Sequence, residues 1–184
     1  MVKRYRSHQN VIRASTKPPF RLDYFHQVDD PHSYLVALAL RQIETAYPVD
    51  IRNHLVSPPD RMNAPEPELL REYALRDAEQ IAPHYGLIMD TREASATDIE
   101  RCEVELSSIP HDQFLDTAAS FGALIETPKT ATATRTTSPQ TREGNKLRRR
   151  LGHFSSASVC FCLLYTSDAA DEGLGVDLGG RRII

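Results

Sequence analysis

The run Asp29, Asp30, Pro31, His32 and Ser33 places two carboxylates, an imidazole and a hydroxyl within five consecutive positions, with His26 shortly before them. Carboxylates and imidazoles take up and return protons near neutral pH, so these residue types suggest general acid–base work. Their setting narrows the suggestion. Proline suits the first helical position, where the N–H it lacks would be unpaired anyway, so Asp30-Pro31 predicts a helix start. The exposed N–H groups of a first helical turn stabilise negative charge beside them. Asp30, His32 and Ser33 are therefore the candidate catalytic residues. Asp30 has a second reading, as the N-cap that accepts from the N–H of His32 or Ser33, a contact whose loss costs about 1 kcal/mol. An Asp-Pro cap also accounts for much of the pattern that His26, Asp29, Asp30 and His32 would offer a metal ion, and no metal is expected.

Other chemistry-bearing residues read more plainly. Asp77 lies near the apolar face of its helix and is expected at that face's edge, paired with an arginine. Cys102 has helical core spacing and behaves as a small hydrophobe, while Cys160 has no CxxC partner and no basic neighbour to make it reactive. His54 reads as a strand-end residue and His153 as a turn residue near the Asp30 turn. The basic run Lys146, Arg148, Arg149 and Arg150 is expected on a solvated or salt-bridged face, with binding of an anionic group such as a carboxylate as its other reading.

The elements that must position these groups follow from periodicity. Leu22, Tyr24 and Val28 mark an extended segment, and Leu35, Leu38, Ala39, Gln42, Ile43 and Ala46 recur at helical spacing before Tyr47-Pro48. Val49, Ile51 and Leu55-Val56 predict a second strand, parallel to the first across an ordinary right-handed crossover. A proline-rich loop over 57–68 leads to a helix over 67–85 with Leu70, Tyr73, Ala74, Ala78, Ile81 and Tyr85 on one face. Thr97 and Glu100 have capping-box spacing for a helix to Ile109, and Phe114, Ala118, Phe121 and Ile125 align on a helix over 112–125. The middle of the chain thus reads as all helical. Residues 127–143 hold few large apolar groups and read as a flexible loop, followed by a short basic segment and a strand over 154–161.

The segments DYFHQVDDPHSYL, HLVSPP, PEPELLREYALRDAEQIAPHYGL and LRRRLGHF resemble bacterial members of the DsbA-like thioredoxin-fold family. The similarity is to the branch of 2-hydroxychromene-2-carboxylate isomerase-like and kappa-class glutathione transferase-like proteins, over residues 20–161. It implies an α/β chain with a thioredoxin fold and an inserted helical domain at about 65–126. It further implies an isomerase or oxidoreductase type of enzyme, with glutathione as cofactor and a small-molecule or thiol substrate. In that alignment Asp30 falls at the nucleophile's position of the redox enzymes and Ser33 at the resolving position, so the CxxC pair is absent. The proline that relatives hold in cis before the late strand is also unmatched, the last proline being Pro139. The alternative is a non-catalytic thioredoxin-fold binding module that has lost the nucleophile.

Residues 162–184 resemble one translated frame of a sequencing-library adapter, so the expected domain is C-terminally truncated near Phe161, behind a flexible extension over 1–19. Without those last residues the charged side chains number 20 basic against 21 acidic, and no global field argues for nucleic acid or a membrane surface. The N-terminus is basic and polar, so no secretory leader is expected, and the few unpaired cysteines fit a reducing cytoplasmic setting.

Overall fold

The computed structural model describes residues 20–126 and 137–161 of the chain. The extension over 1–19, residues 127–136 of the expected loop and the tail over 162–184 lie outside the described residues. Strand β1 (Phe20–His26) turns directly into helix α1 (Pro31–Ala46), which returns to strand β2 (Val49–Leu55). Strands β1 and β2 pair in parallel from Phe20 opposite Val49 to His26 opposite Leu55. The late strand β5 (Ser158–Phe161) pairs antiparallel on the other side of β1, which makes β1 the centre of a β2-β1-β5 sheet. A central strand is covered on both faces, and every residue from Leu22 to His26 is buried.

Helix α1 is buried on two sides, which explains a departure from its predicted single apolar stripe. Ala37 and Leu40 join the main core, while Leu35 packs with Ala78, Ala82 and Leu87 in a second cluster. Gln42, Ile43 and Ala46, placed on the buried face by periodicity, are exposed, because the helix's last turns run beyond both layers. The element supplying the second cluster is α2 (Pro67–Ile81), prolonged by a tight turn at Ala82–Tyr85. Only Ala74 and Ala78 of α2 are buried; Leu70, Tyr73 and Tyr85 are exposed.

The middle of the chain is not all helical. Strand β3 (Thr91–Ala94) precedes α3 (Ala96–Ser108), and strand β4 (Ala123–Glu126) follows α4 (His111–Phe121); β3 and β4 pair in parallel as a second sheet. The helix expected to reach Ile125 stops at Phe121 because Gly122 adopts φ +79°, and a Cβ there would lie 2.6 Å from the Asp90 carbonyl. The Ala123 N–H then donates to that carbonyl at 2.7 Å, which starts the strand. The capping box of α3 is formed by Ser95 and Asp98, two residues ahead of the predicted pair. Ala94, Ile99, Phe114 and Leu124 all enter the core that also holds Leu22 and Tyr24, so both sheets share one interior.

Residues 139–143, read as the end of a flexible loop, belong to helix α5 (Pro139–Arg150). Its N-cap is Ser138, whose side chain accepts from the Thr141 N–H, and Pro139 occupies the first helical position. The Ser-Pro signal lies within a run of threonines and serines whose composition suggests disorder. Helix α5 packs on β2 through Gly144, where a Cβ would sit 2.0 Å from the Leu55 carbonyl oxygen. Among the described residues no helix is long and apolar enough to cross a membrane.

Alanine normally improves a helix over glycine by about 1 kcal/mol. Gly144→Ala is instead expected to lower stability by about 2 kcal/mol through overpacking against the Leu55 backbone. The urea midpoint reads this directly, and an unchanged midpoint would mean that α5 is not seated on β2.

Candidate functional site

The site is built from the turn between β1 and α1. Asp30 is the N-cap of α1: its Oδ2 accepts from both the Ser33 N–H and the Ser33 Oγ–H, each at 2.8 Å. Ser33 Oγ in turn accepts from the Gln27 N–H at 3.1 Å. The hydroxyl proton of Ser33 is thereby committed to Asp30, and the side chain is fully buried. Asp30 itself is 8% exposed. The structure thus brings Asp30 and Ser33 together as a lock on the turn.

Beneath the turn, the Tyr24 hydroxyl donates to the Ser33 carbonyl and lies 2.8 Å from His26 Nδ1. A phenol has one proton, and here it points to the carbonyl, so Nδ1 must donate to the phenol oxygen. That fixes neutral His26 with its proton on Nδ1. Burial lowers the His26 pKa to about 4 against the opposing pull of Asp29. Burial, reinforced by the Asp30 charge, raises that of Tyr24, which stays a donor. Among the described residues no group of three His, Cys, Asp or Glu side chains is arranged to hold a metal ion.

His32 behaves differently from its neighbours. Its Nε2 lies 2.9 Å from Asp77 Oδ2, and both side chains are about a third exposed, at 31% and 34%. Asp77 therefore pairs with a histidine and not with the arginine expected from sequence. An ionised carboxylate only accepts, so His32 carries its proton on Nε2 and leaves Nδ1 as a free base when neutral. Sequence reasoning missed this pairing because 45 positions separate the partners. The only signal was a carboxylate at the margin of an apolar helix face.

Two concavities meet at this pair. A cleft of about 300 Å³ is lined by Gln27, Asp29, Asp30, His32 and, from the turn before β5, Ser155 and Ser156. A shallower groove of about 670 Å³ runs along α2 past Leu69, Leu70, Tyr73, Arg76 and Asp77. Leu70 and Tyr73 line both, so part of the α2 apolar face continues the cleft while Ala74 and Ala78 of the same face are buried. Within the cleft wall, Gln27 Nε2 donates to Asp29 Oδ1 at 3.1 Å, while the buried Gln27 Oε1 has no hydrogen-bond partner among the described residues.

Donors at the helix end are nearly used up. Ser33 N–H goes to the Asp30 carboxylate, Tyr34 N–H goes to the Asp30 carbonyl, and Pro31 has none. The His32 N–H is the first-turn donor left among the described residues. The remaining titratable candidates lie elsewhere. His54 Nε2 is 2.8 Å from the buried Asp23 carboxylate and its ring stacks on Phe25, while His153 packs on the same phenylalanine with ring centres 6.4 Å apart. Cys102 and Cys160 are free thiols whose pKa values are raised, chiefly by burial. Neither is an activated thiolate.

Comparison with known proteins gives one likeness of structure. A solved structure of selenomethionine 2-hydroxychromene-2-carboxylate isomerase matches with a TM-score of 0.54 at 15% identity, over 84% of this chain and 95% of that one. No family model and no curated protein sequence matches. The likeness shows the fold to be α/β of the thioredoxin type, with helices between β2 and the late strand.

The buried His26 predicts a pH dependence. Unfolded histidine protonates below pH 6.5, whereas the folded residue resists to about pH 4. Stability is therefore expected to fall as pH drops through that window, by about 3 kcal/mol in total, and to be unaffected by this group above it. Urea titrations across the window compare the native chain with His26→Gln; equal slopes would exclude His26 as their source.

Proposed function

We propose that this protein is an enzyme of the DsbA-like isomerase type, related to 2-hydroxychromene-2-carboxylate isomerase, in which His32 moves a proton on a small organic substrate without thiol redox chemistry. The observation that carries this reading is the hydrogen bond from His32 to Asp77 at the meeting point of the cleft and the groove. A histidine held by a carboxylate at a half-open site is the arrangement general-base catalysis requires. Leu70 and Tyr73 suit the apolar body of the substrate.

The residues have distinct roles in this scheme. His32 Nδ1 removes a proton from the substrate, and the charge left behind is delocalised over the substrate beside the imidazolium that forms. Asp77 accepts from Nε2 and favours the imidazolium that forms. The same imidazolium returns the proton to a different atom, so substrate and product are isomers and no electrons are exchanged. Asp30 and Ser33 hold the turn and touch the chemistry through His32.

Glutathione, the cofactor implied by the resemblance, does not fit this first turn as a thiolate. Disulfide exchange needs a thiolate nucleophile, and the position that would supply it is Asp30. The Ser33 hydroxyl proton is engaged by Asp30. A full negative charge on Asp30 also outweighs the roughly half positive charge of a helix N-terminus. No step is routed through glutathione. The free state of Cys102 and Cys160 supports a reducing, cytoplasmic setting.

The test uses the purified full chain with 2-hydroxychromene-2-carboxylate, following isomer conversion by absorbance. Turnover independent of added glutathione is expected. His32→Gln should lower kcat by at least about 100-fold, and Asp77→Asn by about 10-fold with little change in KM. Absence of turnover in the native chain, or native rates in His32→Gln, would overturn the reading. A strict requirement for glutathione would restore thiol chemistry to the site.

A further inference from the structure

Outside the cleft, one buried cation forms no salt bridge among the described residues. Of the basic run on α5, Lys146, Arg149 and Arg150 are exposed as the sequence predicts, but Arg148 is only 6% exposed and forms no salt bridge. Its Nη2 donates to the Ser57 carbonyl and to Asn145 Oδ1, both at 3.2 Å. Its Nε and Nη1 are buried with no acceptor among the described residues. Unsatisfied donors on a buried guanidinium are costly, and in native proteins they point to a missing partner.

We propose that the recess lined by Ser57, Asp60, Asn145, Arg148 and Arg149, of about 190 Å³, binds a small carboxylate monoanion. Three observations define the ligand. First, the recess is large enough for a carboxylate with a short stem and too small for a bulky body. Second, Ser57 Oγ accepts from Asn145 Nδ2 at 3.0 Å and makes no donation among the described residues, so its proton is available beside the guanidinium. Third, two guanidinium groups face the single carboxylate of Asp60, leaving one net positive charge. A monoanion balances that charge, whereas a dianionic phosphate overshoots it and meets Asp60. Asp60 does not fill the role itself: its Oδ1 accepts from the Met62 N–H, the Asn63 N–H and Asn63 Nδ2, which pins it to its own turn. Burial already lowers the Arg148 pKa, a cost that a bound anion would reverse.

Binding here would brace the loop that walls the cleft, because Pro58 and Asn63 line both recess and cleft. The proposal is independent of His32 chemistry, and its failure leaves that reading intact. Thermal melts of the full chain near neutral pH compare acetate with chloride at matched ionic strength. In about 100 mM acetate the midpoint is expected to rise by about 2–4 °C. Arg148→Met should abolish the acetate-specific rise, and Asp60→Asn, which keeps the turn's acceptor oxygen, should tighten acetate binding several-fold. An equal response to chloride, a larger response to phosphate, or a rise retained in Arg148→Met would overturn the proposal. Should Arg148→Met fail to fold, the decision falls to Asp60→Asn, where unchanged acetate affinity by NMR titration of labelled acetate would overturn it.

Discussion

The hydrogen bonds that tie Ser33 to Asp30 and Gln27 are the constraint on which this molecule is arranged. Asp30 caps the helix, Ser33 returns a hydroxyl proton to the cap, and the Gln27 N–H closes the ring from the preceding strand end. The Tyr24 hydroxyl fastens the same serine's carbonyl from below. Each link is buried, where losing one partner leaves the other unsatisfied at a cost of about 1–3 kcal/mol. The turn is therefore rigid for reasons internal to it. Its rigidity fixes where His32, which lies outside the ring, meets the cleft.

That ring also bears on the proposed chemistry of the turn. Placing a buried acid at a helix N-terminus satisfies the dipole internally, so the end of the helix no longer attracts an external anion. A thiolate would have to compete with a carboxylate already hydrogen-bonded there. Proton transfer by a neighbouring imidazole makes no such demand, because its charge forms only transiently and forms beside Asp77. Under the proposed reading, the carboxylate that disfavours a thiolate at Asp30 is compatible with acid–base work by His32 two residues later.

How much of this was legible in the sequence depends on the range of the interaction. The β1-α1-β2 unit and the cap at Asp30 are local, and Asp-Pro followed by helical periodicity reveals them. Strands β3 and β4 are four residues each, and β3 is largely exposed, so neither offers a period to read. Their existence rests on Gly122 approaching the Asp90 carbonyl, a contact between positions far apart in the chain. The site divides the same way. Asp30, His32 and Ser33 are found from their spacing, but the partners that assign their protons are not. Asp77 comes from α2, and the Tyr24 to His26 contact alternates along a strand whose both faces are buried.

Helix α5 carries that lesson furthest, because composition hid its first turn and its packing governs the site at a distance. Gly144 lets the helix axis come within contact of the Leu55 backbone, closer than any side chain would permit. Only at that distance do the Asn145 Oδ1 and Nδ2 atoms reach the Ser57 N–H and Oγ, while Arg148 reaches its carbonyl. Ser57 is thus held through its amide, carbonyl and hydroxyl at once, and the next residues, Pro58 and Pro59, form a wall of the cleft. Two prolines transmit that anchoring with little slack, since their φ angles are fixed. The wall opposite Asp30 is accordingly set by α5 and not by the turn itself. A cleft built from one locally determined side and one side held by a distant helix keeps its shape only while that helix is seated, which makes Gly144 and Asn145 as much a part of its geometry as the residues that line it.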